Sequence, residues 1–308
     1  MVRAGLRGAM FSIGFRNINE TGSFIKLHDL IDQDAIDLLI TSSTLEGNDT
    51  GFLVSEMRNQ RLGTNPFVVV ISLLASAEPD YVRKVIDSGA DDLVLTPVQP
   101  DQLILRIEKL TRTRKPFVVT HDYSGPDRRT KSRAFETHSA PMLEVPNPLK
   151  FRAEATSLDG TRLIRTIGET AVTLNRMKIE RYAVQIDWLV THIHATIRDG
   201  AVADPAELIP HVTKLCAVAE DMERRMRGTA TEMHAAPVAE VLTLARRLEE
   251  SPGRIPFTDL ERLTSLSRTI TRALGHPPRH APCAPAAVCA PAAMPPRPVT
   301  QQRAAVVT

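Results

Sequence analysis

Three cysteines in 308 residues, Cys216, Cys283 and Cys289, are too few and too unevenly spaced for a disulfide framework or a zinc pattern. Long apolar runs are missing as well. No stretch approaches the roughly 20 residues that a membrane span needs, and no signal peptide opens the chain. These absences point to a cytoplasmic protein without membrane contact. Charge of one sign is scarce: 38 Lys and Arg face 36 Asp and Glu, leaving +2, which argues against polyanion binding as the default. There is no helix-turn-helix with a basic second helix, and no pairing of nucleophile and base that would support an enzyme. What the chain does have is 43% apolar residues and length enough for two domains.

Residues 36–97 organise the first half. Ile36-Asp37-Leu38-Leu39-Ile40-Thr41-Ser42-Ser43 is an apolar run leading into small polar residues. Phe67-Val68-Val69-Val70-Ile71-Ser72 is a second such run, and Gly89-Ala90-Asp91-Asp92-Leu93-Val94-Leu95-Thr96-Pro97 closes the stretch with a third. Unbroken Val/Ile/Leu runs alternating with amphipathic helices mark a parallel sheet covered on both faces. Helical spacing recurs at 1–13 (Val2, Leu6, Met10), 23–33 (Phe24, Leu27, Ile31), 50–60 (Leu53, Met57), 79–88 (Tyr81, Val85) and 101–111 (Leu103, Ile107, Leu110). Phe15-Arg16-Asn17-Ile18 reads as a short strand.

This order resembles the receiver domain of two-component response regulators. Four local matches carry the resemblance: Asp37-Leu38-Leu39-Ile40 followed by Glu46-Gly47-Asn48-Asp49, the run ending in Ser72, Gly89-Ala90-Asp91-Asp92, and the terminal Pro97. It covers residues 1–112 and implies the flavodoxin-like doubly wound α/β fold with strand order 2-1-3-4-5. Aligned this way, the chain opens on the receiver's first helix, and the receiver's first strand is absent. A central strand removed leaves two unpaired edges. Either an upstream strand fills the gap or the second strand closes on the third; a helix starting uncapped at Met1 favours the first.

The same resemblance assigns the chemistry. A working receiver has a carboxylate acceptor after the third strand, an acidic pair holding magnesium, a lysine after the fifth strand and a hydroxyl switch residue after the fourth. Here the acceptor position is Ser42, the switch position Ser72 and the lysine position Thr96, followed by Pro97; the acidic pair has no counterpart. A neutral serine without a base does not replace the carboxylate. The expectation is therefore a pseudo-receiver with no cofactor and no bound magnesium, docking or dimerising without a phosphate switch. Asp37, Glu46 and Asp49 lie near the pocket and read as strand and turn residues.

Residues 113–156 form a basic, Pro-rich linker containing Arg114, Lys115, Arg128, Arg129, Lys131 and Arg133; Phe117-Val118-Val119-Thr120 reads as an edge strand. Tyr123-Ser124-Gly125-Pro126-Asp127-Arg128-Arg129 reads as a defined turn, similar to a segment that follows receivers in some bacterial regulators. Residues 157–276 are helical throughout, a bundle or dimerisation domain, with one long or two shorter helices around Asn175 and a capping-box spacing at Thr258 and Glu261. His211 stands three residues before Lys214, as in histidine phosphotransfer domains, but Leu215 replaces the expected glycine. His192 and His194 lie about 200° apart on a helix and cannot share a metal. The Pro/Ala-rich tail, 277–308, is expected to be disordered. The implied partners are other signalling proteins, namely a histidine kinase, receiver or adaptor, or a second copy. The alternatives are phosphorelay through His211 and nucleic-acid binding through the basic linker.

Overall fold

The computed structural model describes residues 2–33, 36–128, 141–154, 160–198, 201–202, 205–251, 256–275 and 302–307. The chain divides into two compact units, Met1–Val172 with Ala286–Thr308, and Thr173–Pro285. In chain order the elements are α1 (Val2–Ser12), β1 (Phe15–Thr21), α2 (Phe24–Gln33), β2 (Leu38–Ser42), β3 (Thr44–Leu45), β4 (Asn48–Asp49), α3 (Thr50–Arg58), β5 (Val69–Leu74), α4 (Pro79–Asp87), β6 (Asp92–Leu95) and α5 (Pro100–Arg112). They continue with β7 (Phe117–Val119), β8 (Ser124–Pro126), β9 (Met142–Leu143), α6 (Pro148–Glu154), α7 (Gly160–Thr196), β10 (Ile197–Arg198), β11 (Ala201–Val202), α8 (Pro205–Met226), α9 (Ala235–Glu250), α10 (Phe257–Leu274) and β12 (Gln302–Val307).

The first unit is a mixed α/β structure built on a parallel sheet of order β1-β12-β2-β5-β6. The gap expected between β1 and β2 holds neither an upstream strand nor a direct β1–β2 pairing. β12 fills it, pairing Phe15 with Gln302 through Thr21 with Val307 on one side, and Ala304 with Leu38 through Val307 with Thr41 on the other. The sheet is thus five-stranded, and the tail expected to be disordered ends in a strand; residues 277–301 lie outside the described residues. Its proline-rich composition stops short of residue 302, and Ala304-Ala305-Val306-Val307 contains no breaker and two β-branched residues.

Both faces of the sheet are covered, which is why its strands read as continuous apolar runs. Leu6 and Met10 of α1, Leu103 and Ile107 of α5 and Leu149 of α6 pack with Leu38, Ile40, Val69, Ile71 and Val94 on one face. Leu27 and Ile31 of α2 and Leu53, Val54 and Met57 of α3 pack with Leu39 and Val70 on the other.

The stretch expected as a linker carries structure of its own. β7 is the middle strand of a small antiparallel sheet of order β8-β7-β9, where the sequence suggested an edge. Phe117 and Val119 are fully buried, and Asn147 ahead of α6 donates to the Leu110 carbonyl at the end of α5, at 2.7 Å.

In the second unit α7 is one uninterrupted helix through Asn175, whose amide donates to the Arg225 carbonyl at 2.9 Å. Ile186, Leu189 and Ile193 pack with Leu215, Ala219 and Met222 of α8, Val241 and Ala245 of α9, and Leu263 and Ile270 of α10. α10 begins at Phe257 with Pro256 at the N-cap and no side-chain cap, so Thr258 and Glu261 do not form the expected box; proline supplies the fixed entry instead.

Shortening the chain to end at residue 301 removes both ladders of the central strand. The expected loss exceeds the about 4–5 kcal/mol tail of single substitutions and reads out as lost hydrogen-exchange protection over Phe15–Thr21 and Leu38–Ser42. Unchanged protection in both strands would contradict the pairing.

Candidate functional site

The carboxyl edge of the sheet gathers the positions singled out in sequence. β2 ends at Ser42, β5 passes through Ser72 to Leu74, and Thr96 follows β6. The strand carrying Ser72 continues two residues further than its apolar run suggested, so Ser72 sits inside the ladder opposite Thr41 and is buried. Strand alternation places Ser42 on the face of Leu38 and Ile40 and Ser72 on that of Val70. The two hydroxyls therefore leave opposite faces.

The remaining hydroxyls at this edge serve the backbone. Ser43 donates to the Leu73 carbonyl at 3.0 Å and accepts from the Tyr81 hydroxyl of α4. Thr50 donates to the Ser42 carbonyl at 2.5 Å, and Thr96 donates to the Leu74 carbonyl at 3.0 Å. Thr96 joins Pro97 through a cis peptide. At the rim, Glu46 (φ 50°) and Gly47 (φ 78°) form the tight turn between β3 and β4, whose primed geometry needs positive φ at both positions. The Glu46 carboxylate accepts from the Phe24 amide at 2.9 Å. Asp49 caps α3 through the Gly51 amide at 2.8 Å and accepts Lys84 of α4 at 2.8 Å; that hydrogen bond and charge raise the Lys84 pKa. Asp37 is buried just ahead of β2 and pairs with Arg152 of α6 at 3.2 Å. Among the described residues no group of three or more His, Cys, Asp or Glu side chains is placed to hold a metal ion.

The opposite edge holds the densest polar cluster of the unit, and sequence reasoning missed it. Arg58, at the end of α3, is 1% exposed. It donates to the carbonyls of Gly89 (3.0 Å), Pro66 (2.6 Å) and Val68 (2.8 Å) and to Asp91 (2.9 Å). Arg114 donates to both Asp91 oxygens, at 2.8 and 3.1 Å, and to the Phe67 and Pro146 carbonyls. Asp91 also accepts the Val70 amide at 2.9 Å. One carboxylate thus joins α3, β5, β6 and the segment after α5. Burial alone would raise the Asp91 carboxyl, but Arg114 and Arg58 outweigh it and hold it below the usual carboxylate range. Burial pulls Arg58 down to about 10 against the pull of Asp91, leaving it cationic at neutral pH.

This cluster gives Gly89-Ala90-Asp91-Asp92 and Tyr123–Arg128 one shared structural meaning. Gly89 has φ 93°, and a Cβ there would meet the Ser124 carbonyl at 2.9 Å and Arg58 at 3.0 Å. Arg128 donates to the Ala90 and Asp91 carbonyls at 2.5 and 3.0 Å, and the Tyr123 hydroxyl donates to the Pro126 carbonyl at 3.0 Å; burial pushes that phenol up to about 12. Arg114 and Arg128 are therefore committed to protein carbonyls and a carboxylate, while Arg129, Lys131 and Arg133 lie outside the described residues.

In the second unit His211 of α8 is half-buried, with its ring 5.8 Å edge-on from Trp188 of α7 and 5.8 Å from His192. Further along α8, Asp221 accepts from the Tyr182 hydroxyl (2.6 Å), Arg225 (2.8 Å) and Arg224 (2.7 Å). Burial works against its ionised form, yet Arg225 and these hydrogen bonds hold the carboxyl well below the usual range.

No family model matches the chain, and no curated protein matches it.

Asp91→Ala leaves two buried guanidinium groups facing each other, and the expected cost is about 3–5 kcal/mol, read as a lower urea midpoint at neutral pH. Folding lowers the Asp91 pKa from its unfolded value of about 3.9, so its contribution is complete above that pH and is lost as pH falls through the lower folded value. The variant should accordingly show a weaker acid-side loss than the parent; an unchanged urea midpoint would contradict the role given to Asp91.

Proposed function

We propose that the first unit is a receiver-like domain of the flavodoxin-like class, acting in cytoplasmic two-component signalling as a phosphorylation-independent docking or dimerisation module, without turnover. The sheet order supports the reading: numbered by place, β1-β12-β2-β5-β6 is the 2-1-3-4-5 order of that class, with β12 in the position of strand 1. The pocket chemistry supports the loss of phosphoryl transfer. Ser42 offers a neutral hydroxyl at the acceptor position, and the Thr96 hydroxyl is turned onto the Leu74 carbonyl where a lysine would reach forward.

The observation that carries docking is the β6–α5 side. β6 is an outer strand of the sheet, and it exposes Leu95 by 50% while α5 exposes Leu105 by 65%. Arg106 holds the two elements together through Asp92 at 3.0 Å. A strand edge unpaired among the described residues and flanked by exposed leucines is a surface for a partner's apolar contacts. Phosphorelay through His211 gains no support from a ring packed among aromatic neighbours. Nucleic-acid binding loses Arg114 and Arg128 to internal contacts.

Affinity capture from native lysate compares the parent chain with Leu95→Asp/Leu105→Asp, each with and without nuclease. Histidine kinases, receivers or adaptors retained by the parent through nuclease treatment, and reduced tenfold or more by the double variant, are the expected result. Retention that the double variant leaves intact would overturn the assignment of this face, and retention abolished by nuclease would favour the nucleic-acid reading.

A further inference from the structure

We propose that His192 and His211 form a divalent transition-metal site on the second unit, with one nitrogen ligand from α7, one from α8, and the remaining coordination positions open to water or an incoming ligand. Trp188 and His192, one turn apart on α7, stack with ring centroids 3.7 Å apart, and His211 lies 5.8 Å from each of them. A triangle with one short side and two equal long sides puts His211 beside the stack rather than on its axis. Imidazole binds a metal through an in-plane nitrogen lone pair, so a second imidazole beside the stack, and not over its face, is compatible with chelation.

The tautomer of His192 follows from its partner. Its Nδ1 lies 2.8 Å from the Trp188 carbonyl oxygen, which only accepts, so Nδ1 carries the proton and the lone pair belongs to Nε2. A backbone carbonyl holding the far ring nitrogen is the outer-shell contact that orients metal-binding imidazoles. With metal–nitrogen bonds of about 2.0–2.1 Å, each ring centre sits roughly 3 Å from a shared ion, so a 5.8 Å separation is within reach of one. Both rings are half-buried, which leaves the ion's other positions accessible. Imidazole suits Zn²⁺, Ni²⁺ and Cu²⁺, with Cu²⁺ bound most tightly. His194 is exposed and lies about 200° around α7 from His192, outside the pair.

Trp188 is the only tryptophan in the chain, so its emission reports this place alone. Cu²⁺ titrated into the untagged full chain is expected to quench that emission saturably at one ion per chain, with Zn²⁺ reversing the quench by competition. His192→Ala and His211→Ala should each raise the half-quench concentration tenfold or more, while His194→Ala leaves it unchanged. Without any substitution, Zn²⁺ should shift the ring resonances of both His192 and His211. A half-quench concentration unchanged in either alanine variant of the pair, or a Zn²⁺-insensitive resonance for either ring, would overturn the site.

Discussion

A strand at the centre of a parallel sheet must be hydrogen-bonded along both edges, and the place between β1 and β2 is such a position. Leu38, Ile40 and Phe15 belong to one apolar cluster with Leu6 and Met10 of α1. Without a strand between β1 and β2, that cluster would open along a line of unpaired backbone. β12 closes it from the far end of the sequence, so the first unit depends on a contact between residues nearly 300 positions apart. Non-local pairing of this kind is slow to form and is rewarded only once the rest of the sheet exists.

The second constraint is electrostatic. A carboxylate just ahead of β6 is costly to bury, and Asp91 is tolerated because two guanidinium groups and the Val70 amide surround it. The guanidinium groups are in turn satisfied by carbonyls of the segments leading into β5 and β6. The small antiparallel sheet of β7, β8 and β9 then packs Phe117 against Phe67 and beneath both arginines, with ring centroids 5.9 Å apart. Residues that read as linker are in this way part of the first unit, and the sheet's amino edge is locked while its carboxyl edge carries hydroxyls, the Glu46 carboxylate and the Asp49–Lys84 ion pair.

Much of this was legible in sequence because the signals were local. The three buried strands, the helices with three-to-four spacing in the first half and the largely helical second half were set by periodicity and breakers, and their places hold in the structure. The misses share a physical cause: they are long-range. Gln302–Val307 is a strand only because β1 and β2 present open edges, and its short run was masked by the proline-rich stretch before it. Arg58 is one cation at a helix end with no motif around it, and Asp91 was read as part of a motif; nothing local pairs residues 33 positions apart. The glycines at 89 and 125 were the available hint, since both mark close backbone approach at that junction. His192 was weighed against its neighbour His194 along one helix, whereas the structure pairs it across helices with His211.

The proposal that rests most heavily on this edge is that of a receiver-like unit without phosphoryl chemistry, acting through contacts. The most direct measurement is intact-mass analysis of the chain after incubation with magnesium and a small acyl phosphate donor. The account predicts no mass gain at Ser42 or elsewhere in the first unit. A stoichiometric gain of one phosphoryl group mapped to that unit would contradict it.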